Sequence, residues 1–123
     1  VIDSLYKIKD SYNVDLLTQV AGCAALDAWD EYAAVNLETA ARRDRVADAL
    51  RGRFGWHVWP SATNFVLATP LDADAVVIAR RLKTERILVR HFGQERLNRS
   101  LRISIGSEPE MNRFLDVLEQ VVG

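Results

Sequence analysis

The sequence predicts an α+β domain in which a small, mostly antiparallel sheet of three or four strands packs with about four helices. Three observations carry that expectation. Apolar residues recur at helical spacing through the first half of the chain. Short β-rich runs punctuated by Pro and Gly begin near Trp56, and helical patterns with capping residues then interleave with them. At 123 residues and 49% hydrophobic, residues 1–123 are expected to form a single soluble domain with its own core.

Taken in order, residues 1–12, "VIDSLYKIKDSY", alternate loosely and end in a turn-prone Lys-Asp-Ser. They are expected to be a lead-in segment or short strand. Asn13 can cap the next element, since its side-chain oxygen can accept an early helical N–H. Leu16, Leu17, Val20, Ala21, Ala24 and Ala25 then recur at helical spacing, which suits close packing against a neighbour. Asp30 is placed to cap a longer helix running to about Phe54, with Ala33, Leu37, Ala40, Ala41, Ala47, Leu50 and Phe54 on its inner face. Gly52 and Gly55 form its stop signal.

"WHVWP" and "TNFVLATP" predict two adjacent strands separated by a Pro60-Ser61-Ala62 turn. Asp72 or Asp74 can open a helix over "ADAVVIARRLKTE", with Ala75, Val76, Ile78 and Leu82 inward. "RILVRHF" predicts a strand, "GQERLNRS" a polar loop and "LRISIG" another strand. Ser107 followed three residues later by Glu110 is a capping box, opening a helix that buries Phe114, Leu115, Leu118 and Val121.

The charge balance narrows the function classes. With 16 basic and 17 acidic residues the chain has no general attraction for nucleic acid or for an acidic membrane surface. The cluster "ARRDR" (41–45) falls in a helical pattern and is expected to be a solvated helix face. The lone Cys23 lies among small apolar residues, where a buried, inert thiol is expected. No Cys/His spacing suggests zinc, and His57 and His91 stand alone, so no metal site is expected. No apolar run approaches a membrane span and no signal peptide is read, so a cytoplasmic setting is expected. Trp29, Trp56 and Trp59 fit core or domain-interface positions, and Glu108 and Glu110 fit helix-start acids.

Arg90 and Arg102 remain as candidate binding residues. Each lies at the end of an apolar strand pattern, and a guanidinium offers a planar fork of donors that matches carboxylate or phosphate oxygens in pairs. Because side chains alternate along a strand, Leu101, Ile103 and Ile105 share one face while Arg102 and Ser104 share the other. From spacing alone, an ordinary surface arginine, or an ion pair with one of the 17 acids, is the alternative.

Three stretches in order, "KDSYNVD" (9–15), "PSATNFVLA" (60–68) and "ILVRHF" through "LRISIG" (87–106), together with the E-x-x-x-F-L helix, resemble the histidinol-phosphate aminotransferases. These are fold-type I enzymes dependent on pyridoxal phosphate. The likeness covers nearly the whole chain but only the family's C-terminal small domain. It implies that Arg102 grips the anionic end of the substrate, the α-carboxylate of glutamate or the phosphate of histidinol phosphate, and that Arg90 assists with the phosphate. Tyr12 falls where the family's chain passes between its two domains.

The resemblance also implies what must come from elsewhere. A transaminase needs a lysine that forms a Schiff base with the cofactor. Lys7, Lys9 and Lys83 are the lysines here, and none has the family's context for that role. No catalytic or cofactor-binding residue is therefore expected within the chain, and pyridoxal phosphate belongs to the full-length family. The expected partners are a large pyridoxal-phosphate-binding domain, a phosphate- or carboxylate-bearing small molecule, and a second copy in a homodimer. The expected function is substrate clamping in amino transfer between glutamate and imidazole-acetol phosphate, without catalysis by this chain alone. A non-catalytic anion-binding or protein-interaction module derived from that domain is the alternative.

Overall fold

A computed structural model describes residues 1–9 and 14–123. It contains two compact units, Val1–Ala34 and Val35–Gly123, with the boundary inside helix α3 (Trp29–Gly52).

The first unit holds α1 (Ile2–Ile8), α2 (Leu16–Asp27) and the opening of α3. Helix α1 stands at Ile2–Ile8 of the stretch 1–12, where a lead-in segment or short strand was expected, so it is no strand there; residues 10–12 lie outside the described residues. Ile2, Leu5 and Tyr6 stand at i, i+3 and i+4, a helical spacing that the looser alternation around it conceals. The Val1 carbonyl accepts from the N–H groups of Ser4 and Leu5 at 3.1 and 3.0 Å, closing the first turn.

Asn13, the expected cap of α2, lies outside the described residues. Asp15 caps the helix, its carboxylate accepting from the Thr18 hydroxyl at 2.7 Å and the Thr18 N–H at 3.0 Å. Those two bonds favour the ionised form and hold the Asp15 pKa below its ordinary value. Asp30 lies in the first turn of α3 rather than at its cap. No residue of α1 or α2 is buried. Cys23 is accordingly exposed, not buried as its apolar neighbours suggested, because the small-residue stripe of α2 is not covered within this unit.

The second unit is built on a four-stranded antiparallel sheet of β1 (His57–Val58), β2 (Phe65–Thr69), β3 (Arg90–His91) and β4 (Leu101–Ser104), in the order β1-β2-β4-β3. Together with α4 (Ala75–Thr84) and α5 (Glu108–Val122), this is the α+β arrangement the sequence predicts, and among the described residues of the chain there are five helices where about four were expected. Period-2 alternation sends Val58, Val66, Ala68, Leu101 and Ile103 to one face of the sheet. Against them pack Val46, Ala47 and Leu50 of α3, Ala75, Ile78 and Leu82 of α4, and Met111, Phe114, Leu115, Leu118 and Val121 of α5. Leu37 and Ala41, expected on the inner face of α3, are exposed, so that helix contributes to the core through its C-terminal half.

Helix ends determine how the chain returns to the sheet. Helix α3 stops at Gly52, and Gly55 adopts φ +67°, a left-handed conformation that glycine reaches without steric penalty. The Trp56 N–H then donates to the Leu50 carbonyl at 3.0 Å, and Trp56 enters the core. Asp74 caps α4 by accepting from the Val76 N–H at 2.8 Å. At the other end, the Arg86 N–H donates to the Lys83 carbonyl and the Ile87 N–H to the Leu82 carbonyl, the paired bonds of a Schellman stop. Arg86 carries the left-handed φ of +60° which that stop requires.

Arginines pin the helices to the rest of the unit. Arg42 Nη1 donates to the Gly106 carbonyl at 2.9 Å, while Arg42 and Arg45 both pair with Glu108 at the start of α5. Arg43 reaches the Thr63 carbonyl at 3.3 Å. The side chains of Arg42 and Arg43 are only 16% and 14% exposed, so "ARRDR" is in part a half-buried seam where a solvated face was expected. Arg81 donates to the Val121 carbonyl and Arg113 to the Glu85 carbonyl, tying α4 and α5 together.

Candidate functional site

The register of the sheet brings the two predicted arginines together. Arg90 on β3 stands directly opposite Arg102 on β4, with His91 opposite Leu101. Leu101 and Ile103 are buried beneath β4, so Arg102 and Ser104 point from the other face of the sheet. That face continues across β2, where Phe65 stands opposite Ser104 and Leu67 opposite Arg102.

Directly opposed residues of an antiparallel pair have Cβ atoms about 4.5–5.5 Å apart, and like charges there repel. A protein core would not retain such a pair without compensation. Here both arginines are exposed, and each guanidinium lies over an aromatic ring. The Arg102 guanidinium carbon is 5.3 Å from the centroid of Phe65, and that of Arg90 is 5.5 Å from the centroid of Phe92. Among the described residues neither guanidinium forms an ion pair or a hydrogen bond. Arg42, Arg45, Arg51 and Arg53 in the same unit all pair with carboxylates. The sheet thus offers two adjacent cations whose N–H donors are uncommitted, an arrangement able to take an oxyanion in a bidentate grip.

Strand β3 is shorter than "RILVRHF" suggested, covering Arg90 and His91 alone. Residues 87–89 are not paired with β4, and together with Ile103, Met111 and Phe114 they line an open cleft of about 330 Å³. The arginine pair therefore sits at the last paired rungs of the two strands.

The other candidates fall outside this arrangement. Tyr12 lies outside the described residues. His91 donates from Nε2 to the Asn98 carbonyl at 2.7 Å, a bond that closes the loop before β4. Trp56 is buried, whereas Trp29 and Trp59 are about half exposed. Trp59 meets His57 edge-on at 4.7 Å between ring centroids. Glu110 accepts from the Ser107 N–H and hydroxyl at 2.6 and 2.7 Å, the expected capping contact, and the hydroxyl first and then the N–H hold its pKa below the ordinary value. Glu108, expected to be a plain helix-start acid, also receives Arg42 and Arg45. Among the described residues no cluster of His, Cys, Asp and Glu could hold a metal ion, and no helix is long and apolar enough to cross a membrane.

Phe65 and Phe92 were not singled out in the sequence. Phe92 could have been found there, two residues beyond Arg90 and so on the same face of an extended strand. Phe65 could not, since its place beside Arg102 depends on the pairing of β2 with β4.

The second unit is thus an antiparallel sheet covered on one face by helices and bearing two opposed arginines on the other. The profile of the aminotransferase class I and II family matches residues 1–118, and the chain belongs to that family. It is 38% identical to histidinol-phosphate aminotransferase 2 of Burkholderia mallei, over 99% of this chain and 35% of that protein. To the histidinol-phosphate aminotransferase of Microcystis aeruginosa it is 34% identical, over the whole chain and again 35% of the relative. The solved histidinol-phosphate aminotransferase of Sinorhizobium meliloti, a complex with pyridoxal-5'-phosphate, superposes with a TM-score of 0.76 at 31% identity. That match covers 96% of this chain and 33% of the other. A decarboxylase from Sulfurospirillum multivorans superposes with a TM-score of 0.78 at 22% identity, a likeness of fold alone. The chain spans about a third of the length of the curated relatives it matches.

Proposed function

We propose that residues 1–123 are the C-terminal small domain of a histidinol-phosphate aminotransferase-like transaminase, clamping the substrate anion during amino transfer between glutamate and imidazole-acetol phosphate. The observation that carries this reading is the cross-strand register of Arg90 and Arg102. A phosphate or carboxylate held there meets two planar sets of donors, and no neighbouring carboxylate competes for them among the described residues.

Pyridoxal phosphate supplies the electron sink of amino transfer in this family. Among the described residues the positions of Lys7 and Lys83 do not fit that group: none of the four strands carries a lysine, and these two lie in the last turns of α1 and α4. The chain's contribution is to bind and orient an anion, with the cofactor and its lysine belonging to a large domain. The same reading supplies a cytoplasmic setting and a homodimeric assembly.

A fusion tests this. Joined behind the N-terminal two-thirds of the Burkholderia mallei relative, residues 1–123 should restore glutamate-dependent formation of histidinol phosphate. A soluble, cofactor-loaded fusion without turnover would overturn the transaminase reading. The chain would then be better described as an anion-binding module.

A further inference from the structure

We infer that Phe65 is a positioning residue for Arg102, and that Phe92 does the same for Arg90: the rings replace acidic counterions and hold the guanidiniums apart with their donors free. The inference rests on the reading of the arginine pair as an anion site.

Two guanidiniums rooted on directly opposed residues repel, and ordinary surface chemistry would relieve this with a carboxylate. A carboxylate would occupy the same N–H donors that an incoming anion needs. An aromatic face attracts the cation through its quadrupole and consumes no N–H. The directions of the two contacts also matter. Phe65 is on β2, diagonal to Arg102, because Leu67 is its direct partner and Phe65 faces Ser104. Strand β2 flanks β4 on the side away from β3, so Phe65 draws the Arg102 guanidinium away from Arg90. Phe92 is two residues along Arg90's own chain and draws that guanidinium along its strand. Both rings are half-buried, which fixes them as platforms. The pair is thereby opened before any anion arrives.

The test uses the 123-residue chain and inorganic phosphate. In the ligand-free protein the δ-methylene protons of Arg102 should resonate upfield, in the ring current of Phe65, and those of Arg90 in that of Phe92. Phe65→Leu should return the Arg102 protons to their ordinary position and leave those of Arg90 shifted. It should also weaken phosphate binding about two- to five-fold, the span expected for an exposed cation–π contact. Phe65→Trp should restore both the shift and the affinity, which a role in packing alone would not require.

An unshifted Arg102 in the wild-type chain would overturn the positioning role without any variant needing to fold. So would unchanged phosphate affinity in Phe65→Leu. A wild-type chain that shows both ring shifts but binds no phosphate would instead overturn the anion-site reading, and with it the purpose assigned to the rings.

Discussion

The carboxylate of Glu110 occupies the space that a side chain on Gly106 would need: a Cβ built at Gly106 would stand 2.5 Å from Glu110 Oε2. That same oxygen accepts from the N–H and hydroxyl of Ser107. A side chain at Gly106, the end of "LRISIG", would meet the capping carboxylate of α5, which folds back over it. Gly106→Ala should displace the Glu110 carboxylate, the far end of a flexible side chain, from its cap and lower the urea midpoint slightly. Urea denaturation checks this, and Gly106→Ala combined with Glu110→Ala should cost little more than either change alone.

Glu110 also makes stability depend on pH with a definite sign. Its pKa is lowered in the folded state by the Ser107 hydroxyl and then by the Ser107 N–H. A depressed carboxyl pKa contributes stability that is fully present above the unfolded value and is lost as pH falls through the folded one. Wild type should therefore lose more stability than Glu110→Gln between neutral pH and the acid side of the carboxylate range. Parallel pH profiles of the urea midpoint for the two proteins would count against it.

The Schellman stop of α4 carries the wrong residue for its backbone. Arg86 adopts φ +60°, where a Cβ is strained, and none of the hydrogen bonds or ion pairs described for this chain involves its side chain. Arg86→Gly removes the strain and keeps both backbone bonds of the stop, while giving the unfolded chain more freedom. The net effect should be a gain on the order of 0.5–1 kcal/mol. A thermal melt that falls on this substitution would contradict the strain argument.

Much of the second unit was legible in the sequence because its signals are local and consistent. Ser107 with Glu110 and the alternation of "LRISIG" each specify one conformation, and each is found, while of the two cap candidates before "AVVI", Asp72 and Asp74, the structure uses Asp74. The first unit was not. Its apolar residues satisfy helical spacing in α2, but burial depends on a partner surface that sequence periodicity cannot supply, and Cys23 was misplaced for that reason. The arginine pair was legible as two strand ends. Their direct opposition was not, since register follows from which strands pair and where.

The exposed apolar residues of the first unit bear on association. Tyr6, Leu16, Leu17 and Val20 are 68%, 73%, 81% and 59% exposed on α1 and α2. Apolar surface of this extent seeks a partner, so the chain should sediment above its monomer mass as concentration rises. Leu17→Lys with Val20→Glu should return it toward monomer without altering the melting of the second unit. A clean monomer at high concentration would remove the expected homodimer for this chain on its own.

The sharpest expectation concerns how the two arginines divide their work once a large domain is supplied. In the proposed reaction both substrates present an anion, a carboxylate in glutamate and a phosphate in histidinol phosphate, and the proposal has Arg102 grip either. Arg102→Ala should then lower kcat/KM for both, whereas Arg90→Ala should hurt the phosphate substrate more. Losing a charge-assisted bidentate contact in a closed site costs on the order of 2–4 kcal/mol, or about 30- to 1,000-fold. Arg102→Lys should recover only part of this, because one ammonium cannot reproduce the planar fork. The sheet itself should tolerate Arg102→Ala, since the side chain leaves the exposed face and relieves repulsion with Arg90. A large loss of turnover without a loss of stability would separate binding from folding. Near wild-type turnover of both substrates by Arg102→Ala would reduce Arg102 to a surface residue of β4.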